Sequence, residues 1–258
     1  MKKLVWLLAL FPALALAQAP FDGTWVTKMD TVKVVGKPDV YLVADGMYSC
    51  EACYPGLKIK ADGTDQKVTG HAYYNTASAR VVDAQTVEVI THRDGKMVAK
   101  RTLSVSADGK TLTEDFIDYD GPTQSTGKFL STRVADGPAG SHALSGSWRP
   151  ETKGSTLSAD LITVTYQQSA DGLKMSTPTG QSFDAKFDGM PVLTAGDPGK
   201  TMAALKLIDA HTIQETDTRQ GKVTDVTISK VSADGKTMQV VDHDKLHGTQ
   251  MTYTAEKK

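Results

Sequence analysis

After its first sixteen residues this chain has no long apolar run, no basic block, only two cysteines and no helical periodicity. Each absence narrows the reading. Without a stretch of about 20 apolar residues there is no candidate spanning helix. With 29 basic residues against 30 acidic ones, and no run of either sign, nucleic acid is not expected as a partner, nor is an anionic lipid surface. No G-x-S-x-G, P-loop, H-E-x-x-H or G-x-G-x-x-G occurs, which removes the common signatures of hydrolases, nucleotide binders, zinc proteases and dinucleotide enzymes. No window longer than ten residues follows a 3.6-residue period, so helices are not expected.

The apolar run that does exist is at the N-terminus. Lys2 and Lys3 precede Leu4–Leu16, which ends in Ala15-Leu16-Ala17, an A-x-A cleavage signature. The run is too short for a spanning helix. The expectation is a signal peptide over residues 1–17, cut after Ala17, because the competing Ala17-Gln18-Ala19 site would leave Pro20 at the new N-terminus. The remaining chain is expected in the periplasm or outside the cell, with no spanning segment. In such an oxidising compartment the cysteine pair, Cys50 and Cys53, reads first as a disulfide.

What is present is a duplication. Val105-Ser106-Ala107-Asp108-Gly109-Lys110-Thr111 recurs unchanged as Val231–Thr237, 126 residues later. The same offset brings Ala44-Asp45-Gly46 onto Ala170-Asp171-Gly172 and Asp62-Gly63 onto Asp188-Gly189. It also brings Arg93, Gly95 and Lys96 onto Arg219, Gly221 and Lys222. Asp-Gly between alternating apolar residues is a hairpin signal, since the turn needs a positive φ that Gly adopts easily. Ile162, Val164 and Tyr166 alternate with polar residues, the period of an antiparallel strand covering a core on one side. One region breaks the match: Leu103 and Val105 suggest odd positions inward, whereas Val226 and Ile228 suggest even ones. A β-bulge is expected there, or a local misalignment.

Gly137-Pro138-Ala139-Gly140 and its neighbours read as a linker. The expected organisation is all-β, with two tandem antiparallel barrels or curled sheets: a unit over residues 18–138, a linker over 139–142 and a unit over 143–258. One merged barrel or sandwich is the alternative. Two separate units predict that a fragment starting near Ser141 folds alone.

Each unit opens on an apolar residue and G-x-W, in Phe21-Asp22-Gly23-Thr24-Trp25 and Leu144-Ser145-Gly146-Ser147-Trp148. This is similar to the first strand of lipocalin, fatty-acid-binding and avidin barrels. Together with Lys60-Ala61-Asp62-Gly63-Thr64-Asp65, Val68-Thr69-Gly70-His71 and the repeated turn, it resembles a lipocalin-like (calycin-like) repeat of exported bacterial proteins over nearly the whole chain. The resemblance implies that Trp25 and Trp148 each plug a barrel end with a basic residue of the last strand across them. Arg133 stands there in the first unit, and only Lys257 or Lys258 can in the second. No activity comes with the resemblance.

Three groups carry possible chemistry. Cys50-Glu51-Ala52-Cys53 aligns at its cysteines with Ser176 and Thr179 in a turn, so a disulfide across a tight loop is expected. A thioredoxin-like role needs a helix after the motif, zinc needs two further ligands, and haem attachment needs His where Tyr54 stands. His71, Tyr73 and Tyr74 form an aromatic loop peculiar to the first unit. They are the candidate ligand-binding residues, or else a loop that packs on its own barrel or the other unit. Asp242-His243-Asp244 with His247 is a weak metal candidate whose plain reading is a solvated turn, and no cofactor or metal is expected. The functional expectation is an exported, non-enzymatic protein holding a small apolar or amphipathic molecule in a barrel. The alternatives are a structural or interaction module or inhibitor of the cell envelope, and a hydrolase or isomerase with a polar cluster inside a barrel.

Overall fold

A computed structural model describes residues 19–258; the expected signal peptide lies outside the described residues. Among these residues strands make up all the regular structure apart from a 3-10 turn at Met29–Thr31. β1 (Gly23–Thr27) and β2 (Lys33–Val35) come first. They are followed by β3 (Asp39–Ala44), β4 (Met47–Cys50), β5 (Leu57–Lys60), β6 (Gln66–Lys67) and β7 (Thr76–Val81). Next come β8 (Thr86–Arg93), β9 (Lys96–Val105), β10 (Thr111–Asp118), β11 (Ser125–Asp136) and β12 (Gly146–Leu157). The second half holds β13 (Thr163–Gln168), β14 (Gly172–Ser176), β15 (Ser182–Lys186), β16 (Val192–Leu193) and β17 (Met202–Asp209). It ends with β18 (Thr212–Arg219), β19 (Lys222–Val231), β20 (Thr237–Asp244) and β21 (Thr249–Lys257).

These strands form two antiparallel sheets of matching order. The first runs β5-β4-β3-β12-β11-β10-β9-β8-β7-β6, and the second runs β15-β14-β13-β1-β21-β20-β19-β18-β17-β16, with β2 added on β21. The first sheet curls until Asp62 bridges Arg80, and the second until Asp188 bridges Lys206 and Ser182 bridges Ala195. The molecule is therefore all-β, with two nearly closed barrel-like sheets, each holding its own buried cluster.

Turn chemistry sets the hairpins. Asp45-Gly46, Asp94-Gly95 and Gln220-Gly221 put two successive residues at positive φ, the backbone of a tight connection whose twist matches its strands. The repeated heptad makes the same bonds in both copies. Asp108 Oδ1 accepts from Ser106 Oγ at 2.6 Å and from the Lys110 amide at 3.1 Å, and Asp234 does so with Ser232 and Lys236 at the same distances. This stretch is a structural turn.

The ends of the barrels explain G-x-W. Trp25 and Trp148 are fully buried, and their indole N–H groups donate to the carbonyls of Phe21 at 2.8 Å and Leu144 at 2.9 Å. Gly23 sits at φ 115° and Gly146 at φ 133°, and a side chain on Gly146 would strike the Ala135 carbonyl. Arg133 lies over Trp148 at 4.0 Å and Lys257 over Trp25 at 4.9 Å. The basic residue of the first unit thus covers the tryptophan of the second unit, not its own.

That exchange belongs to the whole strand. β1 pairs with β13 and β21, while β12 pairs with β11 and β3. Strand pairing therefore does not follow the expected division at residues 139–142. The first barrel is contiguous, from β3 to β12, and the second takes its closing strand from the N-terminus. The cause is that the hydrogen-bonding edges meeting each G-x-W strand belong to the other unit.

The irregular region is a bulge present in both copies. Ladder registers shift between Thr91 and His92 and between Asp217 and Thr218, leaving Val98 and Thr224 as the extra residues. Odd positions face inward in both copies, and Ile228 is 37% exposed on the outer face. The even positions of Val226 and Ile228 do not mark an inward face, because the inward positions here are Asp225, Thr227 and Ser229.

Candidate functional site

The inward parity of the first barrel gathers a polar and aromatic set above its plugged end. β3 supplies Tyr41, β4 Tyr48, β8 Val89, β9 Arg101 and β10 Glu114, while the loop before β7 adds Tyr74; together they line a cavity of about 380 Å³. The rings of Tyr41 and Tyr48 lie 6.5 Å apart at 34°. Burial raises the phenol pKa values of Tyr41 and Tyr48 far above the ordinary range and that of Tyr74 to about 12, so all three hydroxyls stay neutral. Arg101 forms an ion pair with Glu114, and its guanidinium lies 5.5 Å from the ring centre of Phe116, which stacks on Phe129 at 5.3 Å.

A second space of about 480 Å³ adjoins this cavity between the barrels, sharing Tyr41, Ala52, Arg101 and Glu114 as walls. Its far side is apolar. Met29 and Val32 come from the N-terminal segment, Phe129 and Leu157 from the first barrel, and Met251 and Tyr253 from the second. A wider groove of about 920 Å³ runs outside, between the loop at 51–56 and the turn at 244–249. Its charged groups Lys37, Glu51 and Arg149 are exposed, whereas the interior of the first barrel is walled by the buried Tyr41 and Tyr48 and the Arg101–Glu114 pair, and is the better site.

The aromatic loop divides its residues. His71 stacks on Tyr74 at 4.4 Å and 19°, backing the ring that lines the cavity. Burial lowers the pKa of His71, and its Nδ1 is buried without a partner. Tyr73 also borders the cavity, but its hydroxyl reaches the second barrel, where Arg219 donates to it at 2.6 Å and lies 4.9 Å from its ring centre. The loop therefore packs on both barrels, and of the three residues Tyr74 presents the clearest face to a ligand.

Cys50 and Cys53 form a disulfide, with Cα atoms 5.4 Å apart. Both line the cavity, and Ala52 between them borders all three spaces, so the closed loop is a common wall. The corresponding turn of the second barrel is tied by hydrogen bonds, with Thr179 donating to Gln181 Oε1 at 2.9 Å.

His243 and His247 do not converge. His247 is 2.5 Å from Asp244 and edge-on to Tyr54, whereas His243 sits within the ladder between Val226 and Gln250. Among the described residues no three His, Cys, Asp or Glu groups come together as metal ligands.

The second barrel has a different interior. Glu215, Asp217, Asp225 and Asp242 occupy the stations held in the first barrel by Val89, Thr91, Ala99 and Phe116. Burial, then mutual repulsion, drives Glu215 and Asp217 well above the usual carboxylate range. Thr227 donates to Asp242 at 2.8 Å, while one oxygen of Asp217 is buried without a partner.

Sequence reasoning missed Tyr41, Tyr48, Arg101 and Glu114. The available signal was charge at inward parity in one copy only, Arg101 against Thr227 and Glu114 against Val240. Compared with protein-family models, curated proteins and solved structures, the chain matches none.

Proposed function

We propose that this protein is an exported, non-enzymatic binder of a small apolar or amphipathic molecule, of lipocalin-like type, and that the first barrel is its binding compartment. The observation that carries the reading is the 380 Å³ cavity, within the range of about 300–1,000 Å³ usual for small-molecule sites. Its apolar walls with a few converging polar groups suit such a ligand, and the adjoining cleft offers room for an apolar extension. Export is supported by Lys2, Lys3, the apolar run and Ala15-Leu16-Ala17, and it agrees with the Cys50–Cys53 bond, which an oxidising compartment preserves.

Native mass spectrometry of the protein purified from its own host tests the reading. A retained small molecule is expected, along with stabilisation when it is added back, by about 2.7 kcal/mol at a hundredfold excess over Kd. Empty protein that no member of a lipid and metabolite panel stabilises against heat would overturn it.

A further inference from the structure

The first barrel's cavity contains one cationic side chain, and that cation is already engaged. Arg101 is bonded to Glu114, and its guanidinium also lies over Phe116. Glu114 is the more buried partner, its side chain 14% exposed against 47% for Arg101. Asp118 and Asp120 also border the cavity, and Asp120 holds Arg93. At the stations of Arg101 and Glu114 the second barrel carries Thr227 and Val240, so the pair is peculiar to the first barrel.

Consider what each ligand charge meets. A carboxylate must draw Arg101 from Glu114, leaving that buried carboxylate without a cation among other acids, and an unpaired buried charge is costly. An organic cation is attracted to Glu114, Asp118 and Asp120 but held off by Arg101 on Glu114 and Arg93 on Asp120. An uncharged molecule disturbs neither, and it meets aromatic faces and neutral hydroxyls on Tyr41, Tyr48 and Tyr74, which can donate to or accept from a polar group.

We infer that the first barrel selects uncharged aromatic molecules bearing a hydroxyl or carbonyl group, with the Arg101–Glu114 pair acting as a filter against charged ligands. This rests on the proposed binding function and names its ligand class.

The test is titration calorimetry of the full chain with 2-naphthol, 2-naphthoate and 2-naphthylmethylammonium. The wild type is expected to bind the naphthol tighter than either charged analogue by about tenfold or more. Glu114→Gln removes the competing charge and is expected to raise naphthoate affinity by about tenfold while leaving the naphthol nearly unchanged. Should that variant not fold, the wild-type ranking still decides. Naphthoate or the ammonium binding as tightly as naphthol overturns the filter while the binding function stands. A retained host molecule that is charged or lacks a ring does the same. No binding by any probe, with nothing retained in native mass spectra, overturns the binding function itself.

Discussion

Arg133 and Lys257 occupy the same station with different chemistry. Arg133 donates to the carbonyls of Gly109 at 2.5 Å, Ala143 at 2.5 Å and Ser145 at 2.8 Å while covering Trp148. Lys257 reaches one carbonyl, that of Pro20, at 3.4 Å. The planar guanidinium ties three chain segments across the barrel end, which a point charge on a flexible stem does not do. Arg133→Met keeps the apolar stem and is expected to cost about 2–4 kcal/mol through lost charge-assisted bonds, against about 1 kcal/mol for Lys257→Met. Urea unfolding of the two variants checks this, and an equal or reversed ranking contradicts it. Glu215 gives the second residue-scale prediction. It faces Asp217, Asp225 and Asp242, with Tyr253 and Tyr166 nearby and Arg219 acting on Asp217. Its carboxyl is raised from 4.5 to about 8, so between those values the folded chain holds a proton that the unfolded chain has released. The stabilisation is complete below pH 4.5 and is lost as pH rises towards 8. Asp108 and Asp234, held low by Ser106 and Ser232, act in the opposite sense, and only near and below 3.8. Glu215→Gln is expected to flatten the decline and to stabilise the protein at pH 8 by an amount on the order of 1–2 kcal/mol, since each tenfold change in proton affinity is worth about 1.4 kcal/mol. Melting curves at pH 5 and pH 8 measure it; equal slopes in wild type and variant would refute the assignment.

Among the elements, the loop closed by Cys50 and Cys53 separates two effects that usually travel together. So short a loop contributes about 2 kcal/mol or less by chain entropy, yet Ala52 within it walls the cavity, the cleft and the outer groove. Cys50→Ser with Cys53→Ser is expected to shift the urea midpoint slightly and to speed ligand release several-fold. A variant whose release rate follows only its small loss of stability would show that the loop is not a wall that matters. This disulfide was legible in the sequence, as were the hairpins: β8, β9 and β10 map onto β18, β19 and β20 at an unbroken offset of 126 residues. The barrel interiors were not legible. Hydrophobic parity finds an inward face only where that face is apolar, and Asp225, Thr227 and Ser229 made the inside of β19 read as its outside. Tyr41 was hidden differently. It stands opposite Gly146 as Tyr166 stands opposite Gly23, but a one-residue difference before the next turn takes the two tyrosines out of the 126-residue frame.

At the scale of the whole molecule, the exchange of G-x-W strands decides which pieces can fold. Every strand of the first barrel lies between Asp39 and Leu157, so its pairings close over modest separations. The second barrel needs Trp25 beside Val164, more than half the described chain away, and beside Lys257, nearly its whole length away. Local sequence pattern could not reveal this, because β1 and β12 present the same motif, which does not say which barrel each one closes. A fragment of residues 36–160 is therefore expected to unfold cooperatively on its own. A fragment of residues 141–258 lacks the strand between β13 and β21 and the tryptophan that fills the barrel end, and it is left with an unpaired copy of β12. It is expected to give no cooperative transition alone, and to gain one when a peptide covering residues 19–36 is added. Thermal unfolding by near-ultraviolet circular dichroism reads both fragments. Cooperative folding of residues 141–258 without the peptide would mean that β12 can close its own unit, and the exchange would then be a choice the chain makes only when both partners are present.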